Sequence, residues 1–113
     1  MPFSLTITRS VLDILAEGGE ALEGKFFDCV DLIGSFPEIG GAYIPQDGDD
    51  EPPIPCRRYH ILDTHKTIYY SVDREREEVR VFALVDQRRN PAYRFREARR
   101  SDLGDEVRAP EGR

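Results

Sequence analysis

The 113-residue sequence predicts an α+β domain, with an N-terminal strand and a helical hairpin packed on an antiparallel sheet and a short C-terminal helix. Three observations predict it. Phe3 to Ile7 alternates apolar and polar residues and is rich in β-formers, the mark of a half-buried strand. Leu22, Phe26, Cys29, Val30 and Ile33 recur at the 3.6-residue period, with Glu20, Glu23, Asp28 and Asp31 between them. Beyond Cys56, three runs of β-formers are separated by short polar turns, which makes them antiparallel neighbours.

The elements follow in order. After the strand at Phe3–Ile7, Thr8 or Ser10 supplies a hydroxyl that can accept from a free N–H of a first helical turn. Val11, Ile14 and Leu15 lie at helical spacing, with Asp13 and Glu17 facing away, and Gly18-Gly19 ends this short helix. The second helix runs from about Glu20 to Ile33 and is stopped by Gly34 and Pro37. Residues 37–55, PEIGGAYIPQDGDDEPPIP, hold five prolines and three glycines and read as a long loop, acidic and Pro-rich over 45–55. Ala42-Tyr43-Ile44 is a brief strand or a core contact within it. Strands are predicted at Arg58–Leu62, Thr67–Val72 and Glu78–Val85. The last is apolar on both faces near its end, as a covered central strand is. Asn90 and Pro91 suit the start of a short basic helix over Ala92–Arg100. The tail 101–113 is polar and aperiodic and reads as flexible.

Length and composition fit one domain over 1–100 with a single core. No apolar run is long enough to cross a membrane as a helix. The N-terminus lacks the basic and apolar regions of a signal peptide, so a cytoplasmic location is expected. Two cysteines, Cys29 and Cys56, form neither a disulfide framework nor a zinc motif, and are expected to be reduced.

The net charge of −6 hides a split. Residues 1–55 carry two basic against eleven acidic side chains, −9. Residues 56–100 carry twelve against seven, +5, and residues 101–113 two against four, −2. Such asymmetry reads either as segregated binding surfaces or as two ordinary solvated faces.

Four pieces of the chain, taken together and in order, resemble the RelE/ParE superfamily of type II toxin–antitoxin toxins, the plasmid-stabilisation proteins. They are DLIGSFPEIGG, a helix end followed by a Pro and Gly pattern; CRRYHI, a basic strand; KTIYYSVD, a strand opened by a basic residue; and VRVFALVDQRRNP, a hydrophobic strand ending in an Arg-containing corner. The resemblance covers about residues 3–95. The chain departs from it in a shorter first helix, in Asp86 before the corner, and in the 45–55 loop.

The resemblance implies a growth-inhibiting toxin. RelE-like members are ribosome-dependent mRNA endoribonucleases that use no metal or other cofactor. The ribose 2′-OH attacks the adjacent phosphate, which calls for a proton acceptor, positive charge on the phosphorane oxygens and an acid for the leaving 5′-oxygen. Carried over by position, the catalytic candidates are Arg58, His60, Lys66, Arg88 and Tyr93, with Arg57, Arg89 and Arg94 as nucleic-acid contacts. Arg58 and His60 share a strand face, being two apart. Arginine suits phosphate through its planar fork, and histidine is the side chain that changes charge near neutral pH. Arg58, His60, Lys66 and Arg88 are expected on one concave face of the sheet. The plainer readings are a solvated edge charge for Arg58, a surface hydrogen-bonding residue for His60, a turn lysine for Lys66 and a pair with Asp86 for Arg88.

The ParE-like branch implies a different target, DNA gyrase, inhibited by binding without nuclease chemistry. A domain kept only to bind another protein is the third alternative. A cognate antitoxin that wraps the sheet and helical hairpin is implied in each toxin branch, with an acidic segment suited to the basic half. Homodimerisation stays open.

Overall fold

The structure, a computed structural model, describes residues 2–44, 52, 54–88 and 95 and the backbone of 106–108. Strand β1 (Ser4–Thr8) runs directly into helix α1 (Arg9–Ser35). Then come β2 (Gly41–Ala42), β3 (Arg57–His60), β4 (Lys66–Asp73), β5 (Glu78–Asp86) and β6 (Glu106–Arg108). Among the described residues these strands form one sheet in the order β2-β3-β4-β5-β1-β6.

The sheet is mixed, where the sequence predicts an antiparallel one. β3 through β5 form the expected three-stranded meander, and β2 pairs antiparallel with β3 at its edge. β1 lies parallel to β5, Ser4 opposite Glu78 and Ile7 opposite Val81. Alternation within a strand reports which face is buried, not which strand lies alongside, so this neighbour was hidden. β6 pairs antiparallel with β1 through Thr6 and Arg108, Ile7 and Val107, and Thr8 and Glu106. A strand therefore stands within the segment read as an aperiodic tail. The helix expected over Ala92–Arg100 lies outside the described residues, except for Phe95, as does most of the acidic loop.

The predicted helical hairpin is one run broken at a single residue. Gly19 has φ 85° and ψ 174°, which divides α1 into segments 9–18 and 20–35. That backbone region belongs to glycine almost alone. Thr8 occupies the N-cap position, but its hydroxyl donates to the Phe82 carbonyl at 3.4 Å rather than accepting from the first turn. At the other end the helix passes Gly34 and closes at Phe36, whose N–H donates to the Leu32 carbonyl at 2.8 Å.

Both helix segments bury their stripes on one sheet face. Val11, Leu15, Phe26, Val30 and Ile33 pack with Ile7, Ile61, Ile68, Tyr70, Val79, Val81 and Leu84. The other face carries a second cluster of Tyr43, Tyr69, Phe82, Ala83, Val85 and Phe95. Tyr43, Tyr69 and Phe95 meet edge to face, with centroids 5.4 Å apart for Tyr43 and Tyr69 and 4.9 Å for Tyr69 and Phe95. So β5 is covered on both sides, as its apolar end implies. Among the described residues, no helix is long and apolar enough to cross a membrane.

Two irregularities set the geometry of the meander. Tyr69 pairs with Ala83 and Tyr70 with Val81, so Phe82 is an extra residue in β5. This bulge reverses the alternation of β5: Val79 and Val81 face the helix before it, and Leu84 after it. The second is a tie across the β3 end. The buried Tyr70 hydroxyl donates to the Pro37 carbonyl at 2.8 Å and accepts from the Gly40 N–H at 3.0 Å.

Candidate functional site

A cleft of about 530 Å³ opens on the sheet face opposite the helix. It is lined by Gly41, Arg58, His60, Thr67, Tyr69, Val85 and Gln87. Strand pairing explains the set. Tyr59 and Ile61 face the helix, so Arg58 and His60 face away from it. Arg58 is opposite Tyr69 and His60 opposite Thr67, and Thr67 is opposite Val85. The Arg58 guanidinium carbon lies 5.9 Å from the centre of the Tyr43 ring, within cation–π range.

The cleft floor is polar at one place. Thr67 is only 2% exposed. Its hydroxyl oxygen accepts from Gln87 Nε2 at 2.8 Å and lies 3.2 Å from His60 Nδ1. Gln87 is held in turn by its backbone N–H, which donates to the His65 carbonyl at 2.6 Å. Thr67 and Gln87 were not among the residues expected at the site. The pairing of His60 with Thr67, once known, points to both.

Comparison with protein families, curated proteins and solved structures gives no match. The placement of each candidate therefore rests on the geometry alone.

The four charged candidates do not share one face. Arg58 and His60 line the cleft. Lys66 precedes Ile68 and Tyr70 in the alternation of β4, and both of those face the helix. Its partner across the sheet is Asp86, and Lys66 Nζ lies 4.0 Å from Asp86 Oδ2. Arg88 is bound to the same carboxylate, Nε to Oδ1 at 3.0 Å and Nη2 to Oδ2 at 2.6 Å. Its backbone N–H also donates to Oδ1 at 2.9 Å. The Arg88 side-chain bonds, followed by its backbone N–H, hold the Asp86 carboxyl well below the usual carboxylate range, against a smaller opposing effect of burial. A basic corner thus exists, but one of its two charges is offset by Asp86, and it stands on the side of the sheet away from the cleft.

The remaining candidates divide as follows. Arg57 turns to the helix side and donates from Nη1 to the Gly40 carbonyl at 2.6 Å, so it fastens the 36–41 loop. Arg89, Tyr93 and Arg94 lie outside the described residues. Both cysteines are free thiols. Burial pushes the Cys56 thiol up to about 12, and it packs beside the Tyr43 cluster as a neutral group. Among the described residues, no group of three His, Cys, Asp or Glu side chains gathers as a metal site would need.

Chemically, the cleft offers an exposed guanidinium for an anionic oxygen and an imidazole, with a hydroxyl and an amide behind the ring. These suit a phosphodiester.

Proposed function

We propose that this chain is a RelE/ParE-type toxin that cuts RNA in the cleft of Arg58 and His60. One observation carries the reading: the two candidates whose chemistry the reaction needs most, a phosphate-binding fork and a proton-exchanging ring, stand side by side on one strand in a cavity large enough for a nucleotide. Arg58 holds the non-bridging phosphate oxygens and offsets the charge that develops on them. His60 carries proton transfer at the same phosphate.

A second reading is inhibition of DNA gyrase by binding. It is favoured by the placement of Lys66 and Arg88, which stand beside Asp86 outside the cleft and leave a smaller basic set within it than a ribonuclease of this type is expected to carry.

Inducible expression separates the two. RNA cleavage on induction, with DNA supercoiling unchanged, is the expected result. Double-strand breaks or altered supercoiling with intact mRNA would establish gyrase as the target. No effect on growth, RNA or DNA would leave a binding domain without toxin activity.

A further inference from the structure

The cleft histidine is held from behind, and the direction of its hydrogen bonds can be worked out. A threonine hydroxyl has one proton to donate and two lone pairs to accept with. Gln87 Nε2 donates to Thr67 Oγ1 at 2.8 Å, which uses one lone pair. Thr67 is 2% exposed, so its own proton needs a partner within the protein. Among the described residues, the acceptor in reach is His60 Nδ1, at 3.2 Å. The chain of donors therefore runs from the Gln87 amide to the Thr67 hydroxyl to Nδ1. A ring that accepts at Nδ1 in its neutral form carries its proton at Nε2.

We infer that Thr67 and Gln87 are positioning residues for His60, locking its ring with Nδ1 inward as an acceptor and presenting an Nε2–H donor to an anionic oxygen in the cleft beside Arg58. The chemical consequence rests on the RNA-cutting reading: the neutral ring donates a hydrogen bond from Nε2–H to a phosphate oxygen, and the proton transfer is made by the imidazolium, which gives its Nε2 proton to the leaving 5′-oxygen while the 2′-OH proton goes to water. The orientation itself does not rest on that reading. It follows from the Gln87 amide's donation together with the hydroxyl's single proton and its burial. Thr67 touches no reacting atom and acts only through the ring.

The test uses the full chain and has a readout independent of activity. Long-range 1H–15N spectra of the His60 side chain, recorded with the ring neutral, report which nitrogen carries the proton. The wild type is expected to show the Nε2–H form alone. Thr67→Ser keeps that form, because it keeps the hydroxyl. Thr67→Val releases the ring to a mixture of both forms. Gln87→Glu is the sharpest variant: an ionised carboxylate only accepts, so Thr67 must donate to it, Nδ1 must donate to Thr67, and the proton moves to Nδ1. Thr67→Val should also lower RNA turnover about 100-fold through loss of ring placement, with KM little changed and activity restored in Thr67→Ser. An Nδ1–H wild type, or the same form in wild type and Gln87→Glu, overturns the inference, even if Thr67→Val fails to fold. If no variant or wild type cuts RNA, the proposed function falls while the spectra still decide the positioning.

Discussion

Arg88 grips the carboxylate of Asp86, two residues before it, through both arms of its guanidinium, at 3.0 and 2.6 Å. Lys66 Nζ stands 4.0 Å from the same carboxylate. This one carboxylate offsets one of the two positive charges that a nucleic acid would otherwise meet at the corner. Asp86→Asn should restore that charge. RNA binding should tighten and become more salt-dependent, with the slope of log K against log salt steeper by about 0.7 for the one positive charge no longer offset on a single strand. An unchanged slope would mean that this corner never meets RNA.

The same pair makes a prediction about acid. Asp86 has a lowered pKa in the folded chain, so its contribution to stability is present above the ordinary aspartate value and is lost as pH falls through the lower, folded one. A carbon-detected carboxyl titration should place Asp86 well to the acid side of the ordinary aspartate value. Arg88→Ala should return it toward the ordinary range, since the Arg88 side-chain bonds are the first cause of the shift. Arg88 is largely exposed, and solvent screening keeps the energetic gain small.

Tyr70 ties the 36–41 loop to the sheet through Pro37 and Gly40. Tyr70→Phe removes the hydroxyl and strands the Gly40 N–H and the Pro37 carbonyl, so urea unfolding should show a loss of about 1–3 kcal/mol. Burial raises the Tyr70 pKa above its ordinary value. The fold's stability from this group is full below the unfolded tyrosine value and falls as pH rises through the folded one. In an alkaline absorbance titration Tyr70 should ionise above the ordinary tyrosine value.

The glycines of the chain should respond in opposite directions. Gly19→Ala places a side chain at φ 85° and should cost about 1–3 kcal/mol. Gly24 sits inside the helix with nothing among the described residues within 4 Å of an added methyl. Gly24→Ala should therefore stabilise by about 0.5–1 kcal/mol. At Gly40 an added methyl would lie 2.5 Å from the Arg58 carbonyl and 2.6 Å from the Tyr70 hydroxyl. Gly40→Ala should destabilise and also disturb the cleft strand. Thermal midpoints of the three variants check the signs.

Strands β1, β3, β4 and β5 and the helix stripe were legible because burial writes a period into the chain. Ile68 and Tyr70, and Val30 and Ile33, read correctly for that reason. The site was less legible, because it depends on parity between strands. The turn after His60 sets it opposite Thr67, not Lys66, and a shift of one residue sends a side chain to the other face. Lys66 thus joins Asp86 on the helix side while His60 lines the cleft. The Phe82 bulge adds a second change of parity, invisible in a run that is apolar on both faces. Arg58 and His60 were found together because they lie on one strand, where no register intervenes.

The central claim is that the cleft, not the basic corner, is the working site. It is tested most directly by mapping RNA cleavage in cells that express the wild type, the Arg58→Ala/His60→Ala pair or the Lys66→Ala/Arg88→Ala pair, with folding checked by circular dichroism. The account predicts that cleavage disappears with the cleft pair and persists with the corner pair. Cleavage that survives loss of Arg58 and His60 but stops without Lys66 and Arg88 would contradict it.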